Sequence, residues 1–291
     1  MADDSFESPL LEVEGLRISF RTSNGDVEAV KGVTLTIVAG ERVGLVGESG
    51  SGKSALLMSI INLLDEAGRI TDGKIRFDGQ DLRAMRESQL DELRGRRISV
   101  VLQDPSSSLN PLMSIGRQLD EIIARHQPGL GRSARRSLAA SLLTEVEIAR
   151  AEERLDAYPH QFSGGMKQRV GIAMALANDP DLLLADEPTT ALDVTTQAQI
   201  IKLLTRLAKE RDMAVLFVTH NLGIVSEFCD RILVLYRGDL VEEGETSRLL
   251  SRPTHPYTRA LIGAIPAPGY TRQDGALATI GGELGRQKGG Q

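Results

Sequence analysis

Cysteine, long apolar runs and a basic start are scarce or missing in this chain of 291 residues. Its one cysteine, Cys229, excludes an internal disulfide and any four-cysteine metal or iron–sulfur site built from this chain alone. No apolar run approaches the ~18 residues that span a bilayer. The acidic start, Met1 to Glu7, lacks the basic and apolar segments of a signal peptide. We therefore expect a cytosolic chain that does not cross a membrane unaided.

An excess of positive charge is missing as well. The chain has 34 Lys and Arg residues against 40 Asp and Glu residues, for a net charge of −6. Neutralising the phosphates of a nucleic acid requires clustered Lys and Arg, so we expect no nucleic-acid partner. The basic run Arg132 to Arg136 is interpreted as the solvated start of a helix. A hydrophobic content of 41% is typical of a soluble globular chain, and the length suggests roughly two folding units.

Three patterns follow one another along the chain. Residues 10–46 read as short strands separated by turns, and a helical pattern begins at Ser54. Residues 105–165 carry apolar residues at helical spacing, which we interpret as a helical insertion. From residue 166 a strand–helix–strand pattern returns, with continuous apolar runs over 182–185 and 214–218 that are typical of parallel strands covered on both faces. We predict an α/β fold, followed by a loose tail over 271–291.

A glycine-rich loop fits the pattern G-x-x-x-x-G-K-S/T. Its residues are Gly47, Glu48, Ser49, Gly50, Ser51, Gly52, Lys53 and Ser54. In such a loop, glycines let successive backbone N–H groups point at one anion, and the following helix start adds positive potential. Lys53 is predicted to reach the β- and γ-phosphates, and the Ser54 hydroxyl to ligate Mg²⁺. A chance match in a chain with 29 glycines is the alternative, but the strand before the loop and the helix after it supply the context that the motif requires.

An acidic pair, Asp186 and Glu187, ends the apolar run over 182–185. Carboxylates at the carboxyl end of a parallel strand lie where open α/β sheets bind their ligands. Asp186 is predicted to hold Mg²⁺ through water, and Glu187 to polarise the attacking water as a general base. Taken alone, the pair could equally be an acidic helix start before Pro188; the phosphate-binding loop favours the metal site.

A second anion-binding helix start is predicted at Ser163, Gly164, Gly165 and Met166. Ser163 is a good helix cap, and the glycines after it leave backbone N–H groups uncovered. His220 and Gln103 each follow an apolar strand, and His220 could donate to a γ-phosphate. As isolated residues both are ordinary loop side chains.

In combination, these residues resemble the nucleotide-binding subunit of an ABC transporter over roughly residues 10–266. The motifs occur in order: Walker A loop 47–54, Q-loop Gln103, signature 162–166, Walker B end 186–187, D-loop 191–193 and switch His220. The resemblance implies a P-loop NTPase (RecA-like) core with an antiparallel β subdomain over 10–104 and 166–245. It also implies a helical signature subdomain over 105–165 and a C-terminal extension over 246–291.

The resemblance also implies the site. Two subunits would pack head to tail, with ATP between the Walker A loop of one and the signature of the other, so the two anion sites would serve different nucleotides. Lys53, Gln103, Glu187 and His220 would be catalytic, Gln103 would join Ser54 and Asp186 around Mg²⁺, and Asp193 would lie at the nucleotide. Phe20 would stack on adenine; Val27 nearby, or a purely core role for Phe20, are the alternatives.

A narrower resemblance concerns the segment His255 to Leu261, together with Ala264, Ile265 and Pro266. It is similar to the C-terminal element of the oligopeptide/dipeptide/nickel importer branch, in which Met166 is also a common signature residue. Many members of that branch carry a longer tail with several cysteines. This chain has only Cys229, which we interpret as a core residue, so we expect no iron–sulfur cluster.

The branch implies an energy-coupling ATPase, peripheral to the cytoplasmic face of the cell (inner) membrane. Its expected partners are two integral-membrane permease subunits, a second and different ABC ATPase (a homodimer being the alternative) and, indirectly, an extracytoplasmic solute-binding protein. Di- or oligopeptides are the favoured cargo, with nickel, glutathione, opines and oligosaccharides open. A soluble ABC ATPase of DNA repair or translation is the competing class, but such proteins usually fuse two cassettes or carry basic or zinc-bearing insertions. An exporter subunit is a third hypothesis, and the element over 255–266 argues against it.

Overall fold

The computed structural model describes residues 8–105 and 107–264. The acidic start, Met1 to Glu7, the expected tail over 271–291, and Ile265 and Pro266 lie outside the described residues. The strands are β1 (Leu11–Thr22), β2 (Gly25–Ile37), β3 (Arg42–Val46), β4 (Gly68–Phe77), β5 (Gln80–Asp81), β6 (Ile98–Val101), β7 (Leu182–Asp186), β8 (Ala214–Thr219), β9 (Arg231–Tyr236) and β10 (Asp239–Glu245). The helices are α1 (Lys53–Ile60), α2 (Glu87–Leu93), α3 (Ile115–His126), α4 (Arg132–Glu145), α5 (Ala151–Arg154), α6 (Gly164–Leu176), α7 (Val194–Glu210), α8 (Leu222–Phe228), α9 (Thr246–Ser251) and α10 (Pro256–Gly263).

The larger sheet has six strands in the order β10-β9-β3-β8-β7-β6, and every neighbouring pair is parallel except β10 and β9. Its central strands are almost wholly buried, as the apolar runs predict. Val46 pairs with Thr219, and Asp186 pairs with Val218. The carboxyl ends of β3, β7 and β8 therefore lie level with one another, and the segments that follow them meet at one edge of the sheet.

The smaller sheet is antiparallel, in the order β2-β1-β4-β5. Here the expectation of several short strands is wrong, because residues 11–22 form one strand of 12 residues. The pairing register shifts between Val13 and Leu16, where Gly15 adopts a φ of 57°. This bulge interrupts the alternation of the sequence without ending the strand. The turn that joins β1 to β2 is short, since β1 ends at Thr22 and β2 begins at Gly25.

Three of the helices, α3, α4 and α5, fall within the predicted helical insertion. The basic run at the start of α4 is engaged within the chain: Arg135 bonds Asp120 at 2.6 Å, and Arg136 bonds Asp156 at 2.9 Å. These ion pairs account for part of the run without a nucleic-acid ligand. The boundaries at 105 and 165 stay a prediction.

Two cores cover the two faces of the larger sheet. Leu182 and Leu184 face one core, shared with α1 and the antiparallel sheet, whereas Leu183 and Ala185 face the other, shared with α3, α4 and α6 to α8. This alternation is what a strand covered on both sides requires. Cys229 is buried in the second core, and burial raises the pKa of its thiol. Within the described part of the chain, no helix combines the length and hydropathy needed to cross a bilayer.

Candidate nucleotide-binding site

The Walker A loop between β3 and α1 borders a cavity of about 340 Å³. The cavity brings together the loop and the residues that follow β6 and β7. Its lining residues are Ala29, Ser49, Gly50, Gly52, Lys53, Ser54, Ala55, Gln103 and Glu187. The structure thus places the predicted phosphate-binding, Mg²⁺-sensing and general-base residues around one space.

Two glycines of the loop are required by close packing. Gly52 adopts a φ of 104°, and a side chain there would collide with the carbonyl oxygen of Ala29 on β2. A side chain at Gly47 would collide with the carbonyl oxygen of Leu235 on β9. Glycine therefore lets the loop lie against both sheets.

The Lys53 side chain is buried inside the loop. Its Nζ donates to the carbonyl oxygens of Gly47 at 2.9 Å and Glu48 at 2.8 Å. Burial lowers the pKa of Lys53, and the nearby carboxylates of Glu187 and Asp186 oppose that shift. Neutral carbonyl groups thus hold the Lys53 ammonium, and a charged phosphate could replace them as its hydrogen-bond acceptor.

The hydroxyl of Ser54 donates to Oδ1 of Asp186 at 3.1 Å. Asp186 is buried, which raises its pKa, whereas the hydrogen bond from Ser54 lowers it. Hydroxyl and carboxylate oxygens are hard donors of the kind that Mg²⁺ prefers, so this pair fits the expected ion. Among residues 8–105 and 107–264, no three His, Cys, Asp or Glu side chains group into a metal site. Phosphate and water would have to supply the remaining ligands.

Glu187 has a left-handed backbone, with a φ of 44°, directly after β7. Its carboxylate accepts hydrogen bonds from Thr190 Oγ1 at 2.9 Å and Gln103 Nε2 at 3.4 Å, and lies 3.2 Å from Nδ1 of His220. Partial burial favours the neutral acid, but the contacts with His220 and Thr190 outweigh it and lower the pKa of Glu187. An ionised carboxylate therefore stands at the cavity wall, and uncommon backbone geometry of this kind is often found at functional sites.

The signature residues lie elsewhere. Ser163 caps α6 by accepting a hydrogen bond from the Met166 N–H at 3.3 Å, and Ser163 and Gly164 are exposed. Of the four signature residues from Ser163 to Met166, all described by the structure, none lines the Walker A cavity. A side chain at Gly165 would collide with Thr196, the residue to which the cap Asp193 is bonded. The signature and the D-loop therefore share a surface separate from that cavity.

Phe20 is half-buried and packs against the core beside Gly68. Val27 pairs with it across β1 and β2 and is 55% exposed. Of the described residues, those that line the Walker A cavity include neither of the two. The adenine-stacking role of Phe20 stays a prediction.

Sequence reasoning missed Thr190, Ala29 and Tyr257. The Thr190 hydroxyl, three residues after Glu187, is a local signal that could have been used. Ala29 has no polar side chain to reveal it. Tyr257 accepts a hydrogen bond from the Glu48 N–H at 2.9 Å across a separation of 209 residues, which no local pattern shows.

The family model described as "ABC transporter" matches residues 30–190, more than half of the chain. The chain belongs to the ABC transporter family. A second model, "Oligopeptide/dipeptide transporter, C-terminal region", matches residues 241–289 of this ABC subunit, part of which lies beyond the described residues. Both resemblances expected from the sequence are confirmed.

Relatives of this ABC subunit include the oligopeptide transport ATP-binding protein OppD of Salmonella typhimurium, 46% identical over 257 residues (88% of this chain and 76% of the relative). The dipeptide transport ATP-binding protein DppD of Escherichia coli is 45% identical over 273 residues (94% and 83%). Among solved structures, a dimeric post-hydrolysis state of the ATP-binding cassette MJ0796 bound to ADP and Pi matches with a TM-score of 0.73 and 31% identity, covering 81% of this chain and 98% of that one. The predicted P-loop cassette fold and ATPase class are confirmed.

Proposed function

We propose that this ABC subunit hydrolyses ATP to drive the import of di- or oligopeptides through a membrane permease. The observation that carries the proposal is the cavity in which Lys53, Gln103 and Glu187 meet, with the Ser54–Asp186 pair bonded at its edge. The names of the relatives and the second family model support peptides as the cargo class.

A second ABC subunit must complete the nucleotide site. The signature surface is exposed and separate from the Walker A cavity, so one chain carries halves of two different sites. Val194, next to Asp193 on the same surface, is 82% exposed, although burying a valine is favourable. We infer that ATP is sandwiched between the Walker A loop of one subunit and Ser163, Gly164, Gly165 and Met166 of the other, with Asp193 at the interface between the subunits.

The polar side chains in and beside the cavity have separate tasks in hydrolysis. Lys53 and the loop N–H groups bind the phosphates, and Ser54, Asp186 and Gln103 would hold Mg²⁺, which supplies neutralisation of phosphate charge. Glu187 accepts a hydrogen bond from the attacking water and orients it toward the γ-phosphate. His220, beside that carboxylate, donates to the phosphate as charge develops there.

The permease contact is assigned to a groove of about 600 Å³ between α3, α6 and the segment after β6, named here the α3–α6 groove. It is mostly apolar, and two of its lining residues, Leu63 and Leu102, are 51% and 38% exposed. Gln168 and Ser99 on its wall are buried, with side-chain polar atoms that have no partner among the described residues. Leu102 directly precedes Gln103, the residue predicted to contact Mg²⁺. A cytoplasmic segment of a permease bound in the groove could therefore shift Gln103.

The assembly we propose has two permease subunits, this chain and a second, different ABC ATPase, with a homodimer of this chain as the alternative. It would lie at the cytoplasmic face of the cell membrane and receive cargo from an extracytoplasmic solute-binding protein.

The test is purification of the tagged Glu187→Gln chain from membranes in detergent, with MgATP and in parallel without nucleotide, followed by subunit identification. We expect two permeases and two ATPase species, with the ATPases joined only when nucleotide is present. A single ATPase species would contradict the heterodimer. Solitary ATPase chains under trapping conditions would contradict the sandwich itself.

A pair of exposed leucines tests the groove. Leu63→Arg puts a charge into the α3–α6 groove, whereas Leu112→Arg changes a leucine that is 85% exposed and does not line it. We expect Leu63→Arg to lower permease recovery at least about tenfold, because a buried unpaired charge costs several kcal/mol, and Leu112→Arg to behave as wild type. The reverse result would place the contact elsewhere.

A further inference from the structure

The C-terminal element of this chain touches the Walker A loop. Tyr257, the second residue of α10, is fully buried, and its hydroxyl accepts a hydrogen bond from the backbone N–H of Glu48 at 2.9 Å. Glu48 is the second residue of the loop, so this N–H is directed at Tyr257 instead of the cavity. The contact joins the segment matched by the oligopeptide/dipeptide C-terminal model to the loop predicted to bind phosphate.

One peptide unit carries the connection. The N–H of Glu48 and the carbonyl of Gly47 belong to the same planar peptide group. Its N–H donates to Tyr257, and its carbonyl accepts from Nζ of Lys53 at 2.9 Å. Tyr257 therefore fixes the orientation of this peptide group, and that orientation determines where its carbonyl oxygen holds the Lys53 ammonium.

Tyr257 is itself held firmly. Its ring stacks on Tyr236 at the end of β9, with centroids 4.1 Å apart and an interplanar angle of 30°. The start of α10 is anchored to β10, where Glu242 accepts hydrogen bonds from the Thr254 N–H at 2.7 Å and the His255 N–H at 2.9 Å. Burial raises the pKa of Tyr257 to about 12, so its hydroxyl is neutral under ordinary conditions.

We propose that Tyr257 is a positioning residue of the nucleotide site, which sets the Gly47–Glu48 peptide so that the Walker A loop and Lys53 are ready for a phosphate. The proposal rests on the nucleotide-binding role of the loop proposed above. A loop held in its binding conformation loses less entropy on binding, so the hydroxyl should contribute to nucleotide affinity. It does not touch the reacting atoms, and its effect should fall on KM and not on kcat.

The test compares Tyr257→Phe with Tyr236→Phe in the full chain. Each variant removes one hydroxyl from the same stacked pair, but only Tyr257 bonds the loop. We expect Y257F to weaken MgATP binding about three- to tenfold, the range of one lost hydrogen bond, and to raise KM while kcat changes less than about twofold. Y236F should bind MgATP within about twofold of wild type, and both variants should melt within about 2 °C of it.

A double-mutant cycle shows whether the hydroxyl acts through the loop. Glu48→Pro deletes the backbone N–H that donates a hydrogen bond to the Tyr257 hydroxyl. Adding Y257F to that variant should therefore change MgATP affinity by less than about twofold. Equal weakening by Y257F with and without the Glu48 N–H would overturn the proposal, as would wild-type affinity in Y257F or an equal loss in Y236F. Failure of the wild-type chain to bind MgATP would instead overturn the function of the loop, and with it this inference.

Discussion

Nδ1 of His220 lies 3.2 Å from Oε1 of Glu187, so the residue that follows β8 contacts the residue that follows β7 at the wall of the Walker A cavity. The other carboxylate oxygen accepts hydrogen bonds from Thr190 at 2.9 Å and Gln103 at 3.4 Å. Both oxygens are thus oriented by neighbouring side chains. A carboxylate held in this way is ready to align a water without further reorganisation, which is how positioned groups lower a barrier.

Replacement of Glu187 by Gln should abolish most turnover and leave nucleotide binding intact. Glutamine keeps the size and most hydrogen bonds of the side chain but cannot accept the proton of the attacking water. We expect kcat to fall by a factor of about 100 or more, the usual contribution of a general base, with an ATP dissociation constant within about threefold of wild type. Phosphate release and equilibrium ATP binding measure the two quantities.

The matched control for that variant is Glu210→Gln, the same chemical change at the end of α7, where Glu210 pairs with Arg206 on the surface. Its turnover should equal that of wild type. If E187Q kept more than about a tenth of wild-type turnover, the general-base role would be wrong.

The Ser54–Asp186 pair makes a prediction about Mg²⁺. Ser54→Ala removes a hydroxyl that is 3.1 Å from Asp186 and that we propose as a metal ligand. The Mg²⁺ concentration for half-maximal turnover should rise about tenfold or more, because one ligand of the ion is lost. Ser59→Ala on the same helix is the control, since that hydroxyl donates to the Leu56 carbonyl at 2.6 Å. An unchanged Mg²⁺ requirement in S54A would remove Ser54 from the ligand set.

The chemistry of the site was predictable where it follows from local order. The Walker A loop is contiguous, and Asp186 and Glu187 follow directly from a buried strand, so the sequence places them at the carboxyl edge of a parallel sheet. The level ends of β3 and β8 then bring His220 to the same edge. Short-range pattern and sheet topology together determine this part of the site.

Contacts between distant segments were not predictable. The bond from Glu48 to Tyr257 spans 209 residues, and nothing in either segment indicates the other. The length of β1 was missed because a bulge at Gly15 breaks the alternation that identifies a strand. β4 gives a weak signal for a different reason: of its ten residues, only Ile75 and Phe77 are buried, so little apolar periodicity marks it.

Phe20 and Val27 offer a clear test of adenine recognition. If Phe20 stacks on the base, Phe20→Ala should weaken ATP binding about tenfold, since stacking of a base on an aromatic ring contributes roughly 1–3 kcal/mol, and should reduce the preference for ATP over GTP. Val27→Ala, at the exposed position opposite, should change affinity less than about twofold. A loss of thermal stability in F20A with unchanged ATP affinity would show that Phe20 serves only the core.

Glu242 gives a pH-dependent prediction for the C-terminal element. Burial favours its neutral form, but the hydrogen bonds from Thr254 and His255 outweigh this and lower the pKa of Glu242 from 4.5 to about 2. Because the folded pKa lies below the unfolded one, the stabilisation is fully present above about pH 4.5 and is lost as the pH falls toward about 2. Glu242→Gln should therefore be less stable than wild type at neutral pH, by about 1–2 kcal/mol once solvent screening is allowed for.

The stability difference between Glu242→Gln and wild type should then shrink as the solution is acidified from about pH 7 to about pH 3, because only the wild type has a carboxylate at position 242 to protonate. Urea unfolding at several pH values measures this, with Glu227→Gln, a change at an exposed glutamate of α8, as the control. Because Glu242 anchors the start of α10, E242Q should also weaken MgATP binding in the same direction as Tyr257→Phe. A stability difference that is constant with pH would mean that Glu242 supports the element by packing alone.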